Sequence, residues 1–279
     1  MSKLKKPKII FIDLDGTAID LKIKGHKRIS LENIKYIEKA REQGIEVVVS
    51  TGRPPIKATN VFLDPLRCTD NFIGWNGTTI YQNGVKIFEK SFEKDVIDKI
   101  FQEIEKYKIS VIFNSDTKNY SFTSSWLLSI GLKWTRGQAK RYKDFKNNFT
   151  VNKMVLWHPL KERLNQFANV LKEKYRNICE IAYTGKFDSV LEITPKGCSK
   201  GESEIRYAKA KGIDPADCVH IGDTLNDATC SGHIGTLIAM NNSCKTLKMI
   251  ADCISPFKNK NAGLGKTIEY YFLDNNTDL

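Results

Sequence analysis

The chain has 279 residues, which is enough for one large domain or two medium-sized ones. Its content of 41% hydrophobic and 27% charged residues is typical of a soluble globular protein, and no apolar run is long enough to span a membrane. The seven cysteines form no Cys-x-x-Cys pair, so neither a zinc site nor a disulfide framework is indicated. The apolar run that follows the basic residues 1–8 is too short for the hydrophobic core of a signal peptide, and we therefore expect a cytoplasmic protein.

The net charge of +12 is compatible with nucleic acid or with a small anionic substrate as the ligand. Part of it is local, because residues 133–153 contain seven Lys or Arg and one acid, with Trp134, Tyr142 and Phe145 between them. A basic stretch with aromatic side chains can bind nucleic acid. We favour the simpler interpretation of a solvated face and do not expect a nucleic-acid partner.

The most informative stretch is the run of apolar residues 9–12, followed by Asp13-Leu14-Asp15-Gly16-Thr17. Because the run has no polar alternation, it predicts a strand buried on both faces of a parallel sheet. Asp13 and Asp15 then lie at the carboxyl edge of the sheet, where ligands bind in open α/β folds. Two carboxylates on one side of an extended chain need a cation or a shared proton, although an Asp-capped turn would explain the pattern without a site.

The next elements continue a pattern of strands that end in polar residues. Residues 18–28 show no periodicity, and we interpret them as a mobile excursion beside the site. Ser30 is a suitable N-cap for a helix, and a second strand at residues 45–49 ends in Ser50-Thr51-Gly52-Arg53. A turn capped by Thr51, with Arg53 in solvent, would account equally well for that strand end.

A third strand, at residues 71–75, ends in Asn76-Gly77. Residues 78–88 then predict a hairpin that turns at Asn83-Gly84. From residue 89 the pattern changes to a mixture of helices and short strands, which predicts an inserted second domain at residues 89–195. The first domain would comprise residues 1–88 and 196–279. The elements predicted within the insertion are strands at 110–113, 119–123, 152–157 and 190–193 and helices near 96–104 and 160–175.

The first pattern resumes after the insertion. Lys200 opens a predicted helix at residues 199–211, an electrostatically unfavourable place for a cation unless an anion lies there. A strand at 218–221 then ends in Gly222-Asp223-Thr224-Leu225-Asn226-Asp227. Hard oxygen ligands without His or Cys suit Mg²⁺ better than Zn²⁺. With an Asp to attack phosphorus and a second carboxyl to move protons, these strand ends together indicate phosphoryl transfer.

In these motifs the chain resembles the haloacid dehalogenase superfamily of phosphatases, in the Cof-type group with a large αβ cap. The resemblance rests on Asp13-Leu14-Asp15-Gly16-Thr17, on Ser50-Thr51-Gly52-Arg53, on Lys200 and on Gly222 to Asp227, and it covers nearly the whole chain. It implies a Rossmann-like, doubly wound parallel α/β sheet with an inserted α+β cap. One departure from the family pattern is Cys230, which stands where Met is common.

The resemblance also implies roles for individual residues. Asp13 would be the nucleophile and Asp15 the general acid and base. Mg²⁺ would be held by the Asp13 carboxylate, the Asp15 carbonyl oxygen and Asp223, with Asp227 supporting the metal shell. The residues expected to contact the phosphate or the substrate are Thr51, Gly52, Lys200 and Asn226.

The sequence therefore predicts a Mg²⁺-dependent phosphatase of small phosphorylated metabolites, such as sugar phosphates or phosphorylated cofactors, acting through an aspartyl-phosphate. A sugar phosphomutase is the nearest alternative, since such enzymes use a similar Asp pair. A non-catalytic nucleic-acid-binding protein that uses residues 133–153 is an alternative of another class. No membrane association is expected, and the sequence does not predict the oligomeric state.

Overall fold

The computed structural model describes residues 3–134, 137–185 and 189–274. Their contacts divide the chain into two compact units. The first unit extends to Phe88 and resumes at Lys200, and the second runs from Glu89 to Ser199. Within the described residues, no helix is both long and apolar enough to cross a bilayer.

Ten strands belong to the first unit, and eight of them form one sheet. The strands are β1 (Ile9–Ile12), β2 (Leu21–Ile23), β3 (His26–Arg28), β4 (Glu46–Ser50), β5 (Phe72–Gly74), β6 (Thr79–Gln82), β7 (Val85–Glu89), β14 (Cys218–Gly222), β15 (Thr236–Ala239) and β16 (Cys253–Ile254). The sheet has the order β16-β15-β14-β1-β4-β5-β6-β7. Neighbours from β16 to β5 are parallel, and β6 joins β5 antiparallel.

Alternate residues of β1 face two different cores, which explains why the strand has no polar positions. All four residues are wholly buried. The helices of this unit are α1 (Leu31–Glu42), α2 (Lys57–Leu63), α6 (Lys200–Ala210), α7 (Lys245–Ile250) and α8 (Gly263–Phe272). Ile10 and Ile12 pack with α1 and α8 on one face of the sheet, whereas Ile9 and Phe11 pack with α6 and α7 on the other. The predicted doubly wound α/β sheet is therefore confirmed.

Two local expectations had different outcomes. Ser30 caps α1 as predicted, because its hydroxyl accepts a hydrogen bond from the Asn33 N–H at 3.1 Å. Residues 18–28, expected to be an irregular excursion, instead contain the β2–β3 hairpin. Lys24 and Gly25, with φ of 47° and 82°, supply the two left-handed positions of a tight hairpin turn, and Lys in the first of them gives no recognisable turn signal.

The second unit is built on a six-stranded sheet against which two long helices pack. Its strands are β8 (Ser110–Phe113), β9 (Ser121–Phe122), β10 (Ala139–Lys140), β11 (Met154–Trp157), β12 (Cys179–Thr184) and β13 (Val190–Pro195), in the order β10-β9-β8-β11-β13-β12. Its helices are α3 (Lys94–Lys106), α4 (Trp126–Trp134) and α5 (Lys161–Tyr175). α3 and α5 pack against the sheet through apolar residues such as Ile100 and Phe167.

The second boundary of the inserted unit lies between Ser199 and Lys200, rather than before residue 196 as the sequence suggested. The intervening residues are tied to the inserted unit by hydrogen bonds. The Lys196 N–H donates to the Ile178 carbonyl at 2.8 Å, and the Gly197 N–H donates to Glu180 Oε1 at 3.1 Å. These cross-strand contacts are not visible in the local sequence pattern.

Candidate active site

The parallel strands of the first unit all end at one edge, and this edge gathers the polar residues that follow them. Asp13 follows β1, Thr51 follows β4, and Asp223 follows β14. Lys200, at the start of α6, reaches the same place from one face of the sheet. The candidate site is therefore assembled from segments far apart in the chain.

Lys200 connects two of the carboxylates. Its Nζ lies 2.6 Å from Asp13 Oδ1 and 2.6 Å from Asp227 Oδ1, and its side chain is wholly buried. Burial alone would lower the pKa of Lys200, but Asp13 and Asp227 outweigh that effect and raise it above its ordinary value. Lys200 is thus a fixed positive charge. The two carboxylates explain why a cation is tolerated at a helix N-terminus.

Both oxygens of Asp227 accept hydrogen bonds from the protein. Oδ2 accepts from the backbone N–H groups of Asp223 and Thr224 at 2.8 and 2.9 Å. Oδ1 is shared by Lys200 and by Nε2 of His220, the latter at 2.9 Å. Burial raises the pKa of Asp227, but Lys200 and His220 outweigh it, so that this pKa lies well below its usual range. Asp227 is consequently an ionised group that holds the loop after β14 in shape.

Asp223 completes a cluster of three carboxylates with Asp13 and Asp227. One oxygen from each lies within 4.8 Å of the others. Asp223 Oδ1 is buried and has no hydrogen-bond partner among the described residues. The pKa of Asp223 is raised by burial and then by the charges of Asp13 and Asp227, and the pKa of Asp13 is raised mainly by burial against the opposing charge of Lys200.

The carboxylate cluster fits a divalent cation. Three carboxylates, those of the buried Asp13 and Asp227 and the half-buried Asp223, against one ammonium leave two negative charges, which a single Mg²⁺ would neutralise. Carboxylate oxygens are the ligands that Mg²⁺ prefers, and the unpartnered Asp223 Oδ1 is available to such an ion. The residues that could hold the ion are therefore Asp13 and Asp223, with Asp227 beside them.

Two glycines allow these carboxylates to approach the backbone. At Gly16, which has φ of +87°, a Cβ atom would lie 2.1 Å from Asp223 Oδ2. At Gly222 a Cβ would lie 2.2 Å from Asp227 Cγ. Any side chain at either position would displace a carboxylate of the cluster, so the close packing of the two loops depends on glycine.

Asp15 is not part of this cluster and instead has its own pair of cations. Arg53 donates from Nε to Asp15 Oδ2 at 2.6 Å and from Nη2 to Oδ1 at 2.9 Å. Lys27, on strand β3, donates to Oδ1 at 2.6 Å. Burial raises the pKa of Asp15, but Arg53 and Lys27 outweigh it and bring the pKa below its ordinary value. The sequence did not predict these partners, because Arg53 could equally lie in solvent and Lys27 lies in a stretch without periodicity.

The remaining predicted site residues lie on adjacent loops. Thr51 is buried, and its carbonyl accepts a hydrogen bond from the Asn76 N–H at 2.9 Å. Asn226 Nδ2 donates to Asn76 Oδ1 at 3.2 Å, which links the loops after β5 and β14. Asn76 has φ of 55°, a left-handed conformation that Asn adopts more readily than most residues. Gly52 directly follows Thr51 and lies between it and Arg53.

Fold and site together define a Rossmann-like α/β protein with a carboxylate cluster at the carboxyl edge of its parallel strands. The sequence pattern of the haloacid dehalogenase-like hydrolases matches residues 10–268. The chain therefore belongs to the haloacid dehalogenase-like hydrolase family. The predicted family is confirmed, as is the prediction of an enzyme in the class of phosphoric monoester hydrolases.

Several phosphatases are similar in sequence to this chain over nearly its full length. The chain is 26% identical to the phosphatase YwpJ of Bacillus subtilis, covering 89% of this chain and 94% of the relative. It is also 26% identical to the 5-amino-6-(5-phospho-D-ribitylamino)uracil phosphatase YcsE of Bacillus subtilis, covering 95% and 96%. The pyridoxal phosphate phosphatase YbhA of Escherichia coli is 24% identical over 88% of this chain and 92% of its own length.

Solved structures show the same fold. The subclass IIB sugar phosphatase BT4131 superimposes with a TM-score of 0.76 at 19% identity, covering 95% of this chain and 98% of that one. The protein SMU.1108c of Streptococcus mutans superimposes with a TM-score of 0.77 at 19% identity, covering 95% and 99%. At these identities the likeness concerns the fold alone.

Proposed function

We propose that the protein is a Mg²⁺-dependent phosphatase that hydrolyses small phosphorylated metabolites through an aspartyl-phosphate. The observation that carries the proposal is the carboxylate cluster of Asp13, Asp223 and Asp227, with Lys200 fixed between two of its members. Family membership and the phosphatase relatives support the reaction class. The ribitylamino-uracil, pyridoxal and sugar phosphatases among the similar proteins support sugar phosphates or phosphorylated cofactors as the substrate class.

In the proposed reaction, an oxygen of Asp13 attacks phosphorus and the bond from phosphorus to the leaving oxygen breaks. Asp15 gives a proton to that oxygen, and the alcohol departs. Asp15 then takes a proton from water, whose oxygen attacks the phosphoryl group and releases inorganic phosphate and Asp13. Bound Mg²⁺ would neutralise the carboxylates and stabilise the charge on the phosphoryl oxygens.

The state of Asp15 sets a condition on this mechanism. Paired with Arg53 and Lys27, Asp15 is a carboxylate, which suits a base but not a proton donor. Protonation of the leaving oxygen therefore requires at least one of these cations to move away from Asp15. We propose that Lys27 is the one that moves, because it is the more exposed of the two and lies on the two-stranded β2–β3 hairpin.

Lys200, Thr51, Gly52 and Asn226 are proposed to bind the phosphoryl oxygens. Lys200 supplies a positive charge beside Asp13, and Thr51 and Asn226 supply polar side chains on the two neighbouring loops. Gly52 has no side chain, so a phosphoryl group can approach the backbone of this loop closely. The sequence predicts that residues 89–195 form a cap domain, and we propose that this inserted unit selects the substrate. A cytoplasmic location remains a prediction.

The structure weakens the alternative hypothesis that residues 133–153 bind nucleic acid. Of the aromatic residues in the basic stretch, Phe145 stacks on Phe101 with ring centroids 3.8 Å apart. The Tyr142 hydroxyl donates to the Ile109 carbonyl at 2.7 Å. Both rings are half-buried and pack against the core of the inserted unit, which reduces the ring surface that is open to a base. No observation specifically favours the phosphomutase alternative.

The proposal is tested by phosphate release from an aryl phosphate and from a panel of sugar and cofactor phosphates. Release is expected with Mg²⁺, is expected to stop with chelator, and is expected to be lost in Asp13→Asn. Asp217→Asn is the matched control, because Asp217 pairs with Lys5 and Lys8, two cations with no part in the site. Release unaffected by chelator or by Asp13→Asn would contradict the proposal, and a hexose 1-phosphate converted to its isomer would indicate a mutase.

A further inference from the structure

Behind the active-site cluster lies a buried pair of charged residues that the proposed reaction does not use. Glu204, on α6, and His220, on β14, are both wholly buried. His220 Nδ1 lies 2.8 Å from Glu204 Oε1, and His220 Nε2 lies 2.9 Å from Asp227 Oδ1. The imidazole thus bridges a core carboxylate to a carboxylate of the active site.

The arrangement defines the protonation of the ring. A hydrogen bond to a carboxylate oxygen requires an N–H donor, and both nitrogens of His220 face such oxygens. The ring is therefore an imidazolium between two negative charges. The Cys230 thiol completes the surroundings, since its Sγ lies 3.4 Å from Glu204 Oε2.

Stability alone is a poor explanation for such a pair. The desolvation of two buried charges offsets most of their attraction, and apolar residues of similar size would serve a core at least as well. The pair does have a geometric consequence, because His220 and Lys200 donate to the same oxygen of Asp227. The orientation of Asp227 in turn determines where its other oxygen meets the N–H groups of Asp223 and Thr224.

We infer that Glu204 and His220 are positioning residues of the active site. Glu204 orients the His220 ring, His220 fixes the Asp227 carboxylate, and Asp227 holds both Lys200 against Asp13 and the Asp223–Thr224 backbone in place. The inference deepens the proposed function and rests on it for the catalytic readout alone. Hydrogen-bonded partners behind directly acting groups commonly affect activity in this way.

A transition-metal site is the alternative role for this part of the core. One ligand atom each from Glu204, His220 and Cys230 lies within 4.8 Å of the others, a spacing that a metal ion could bridge. The hydrogen-bond geometry favours the positioning role. Burial raises the pKa of the Cys230 thiol to about 12, so it stays protonated and donates to Glu204. Each polar atom of the pair is then satisfied without an ion.

The test compares the double variant Glu204→Met/His220→Leu with wild type. Removing both members leaves no unpaired charge on the pair itself, so the fold is expected to survive. Asp227 nevertheless loses one donor. We expect kcat on an aryl phosphate to fall by about 10-fold to 100-fold, with KM changed by less than about 2-fold. The conservative variant Glu204→Gln keeps an acceptor for His220 Nδ1 and is expected to retain most of kcat.

A second readout does not depend on activity. The N–H groups of Asp223 and Thr224 donate to Asp227 Oδ2, so their hydrogen exchange reports how firmly Asp227 is held. Exchange in residues 222–227 is expected to be at least about 10-fold faster in the double variant, with other buried strands unchanged. If wild type releases no phosphate from any compound, the proposed function fails while this measurement still tests the pair.

Tyr207→Phe is the matched control. Tyr207 is a buried polar residue one turn further along α6, and its hydroxyl lies 2.8 Å from Glu46 Oε1 and 3.0 Å from Asn71 Oδ1, outside the site. Its loss is expected to lower stability without changing kcat or exchange at residues 222–227. Wild-type kcat and wild-type exchange in the double variant would overturn the inference, as would a stoichiometric transition metal bound to purified wild type and lost from that variant.

Discussion

The guanidinium of Arg53 holds the carboxylate of Asp15 through two hydrogen bonds, from Nε to Oδ2 at 2.6 Å and from Nη2 to Oδ1 at 2.9 Å. Arg53 also lies over the ring of Phe62, with its Cζ 4.4 Å from the ring centroid. A planar cation held on two sides has a defined orientation, which Lys could not reproduce. The residue proposed to move protons is therefore positioned by the strand-end motif that also contains Thr51.

Removing Lys27 should shift the titration of Asp15. Lys27→Met takes away one of the two cations that lower the pKa of Asp15, so this pKa should rise. Asp15 must be deprotonated to accept a proton from water. The acidic limb of the pH–rate profile should consequently move to higher pH. Lys22→Met, on the same exposed hairpin, is the matched control. Identical acidic limbs in Lys27→Met and wild type would contradict the assignment of Asp15 as base.

Replacing Lys200 should cost both stability and activity. Lys200→Met leaves Asp13 and Asp227 as buried carboxylates without their shared cation, a change that typically costs about 3–5 kcal/mol. The loss should be smaller at pH 5 than at pH 7, because protonation of Asp13 removes one of the unpaired charges. Urea unfolding at both pH values measures the effect. A loss that does not depend on pH would show that the ion pairs are not its cause.

The stabilisation by Mg²⁺ should increase with pH. Without the ion, the folded-state pKa values of Asp13 and Asp223 are raised above the ordinary carboxyl value of 3.8. The folded protein then binds more protons than the unfolded chain, so its stability falls as the pH rises above about 4, by up to about 1.4 kcal/mol per pH unit for each carboxyl. Mg²⁺ competes with these protons and should remove the loss. Unfolding in Mg²⁺ and in chelator, compared from pH 4 to pH 8, measures the difference, and a constant difference would contradict the site.

Alanine at Gly16 should abolish activity by displacing a metal-site carboxylate. Its Cβ would lie 2.1 Å from Asp223 Oδ2. Gly44 is the matched control, because it has a similar φ of +79° but nothing within 4 Å of the added Cβ. Gly44→Ala should therefore show only the cost of the left-handed backbone, about 1–2 kcal/mol, with normal turnover. Equal turnover in the two variants would show that the close approach of Gly16 and Asp223 has no role.

The parts of this molecule that could be predicted from sequence are those encoded locally. The unbroken apolar run of β1 predicted a strand buried on both faces, and the structure places its alternate residues in two cores. Polar residues directly after parallel strands lie at one edge of the sheet, so the sequence alone predicts that Asp13, Thr51 and Asp223 are grouped there.

Other features depend on contacts that no local pattern records. Glu204 looks like a surface helix residue and His220 like an isolated polar residue in a strand, and only the packing of α6 against β14 joins them. Helix α4 was not predicted, because several of its apolar residues, including Trp126 and Trp134, are exposed and show no amphipathic contrast. Strand β12 was missed because five of its six residues are half-buried, without clear alternation.

The most direct test of the central claim is to trap the phosphoenzyme. Rapid acid quenching during turnover of an aryl phosphate, followed by peptide mass spectrometry, locates any acyl-phosphate by its sensitivity to hydroxylamine. The account predicts phosphate on the peptide that contains Asp13, and none in Asp13→Asn. Mg²⁺-dependent turnover with phosphate on a residue other than Asp13 would contradict the account. So would turnover in which no quench time shows phosphate on Asp13 and the phosphoryl group passes directly to water.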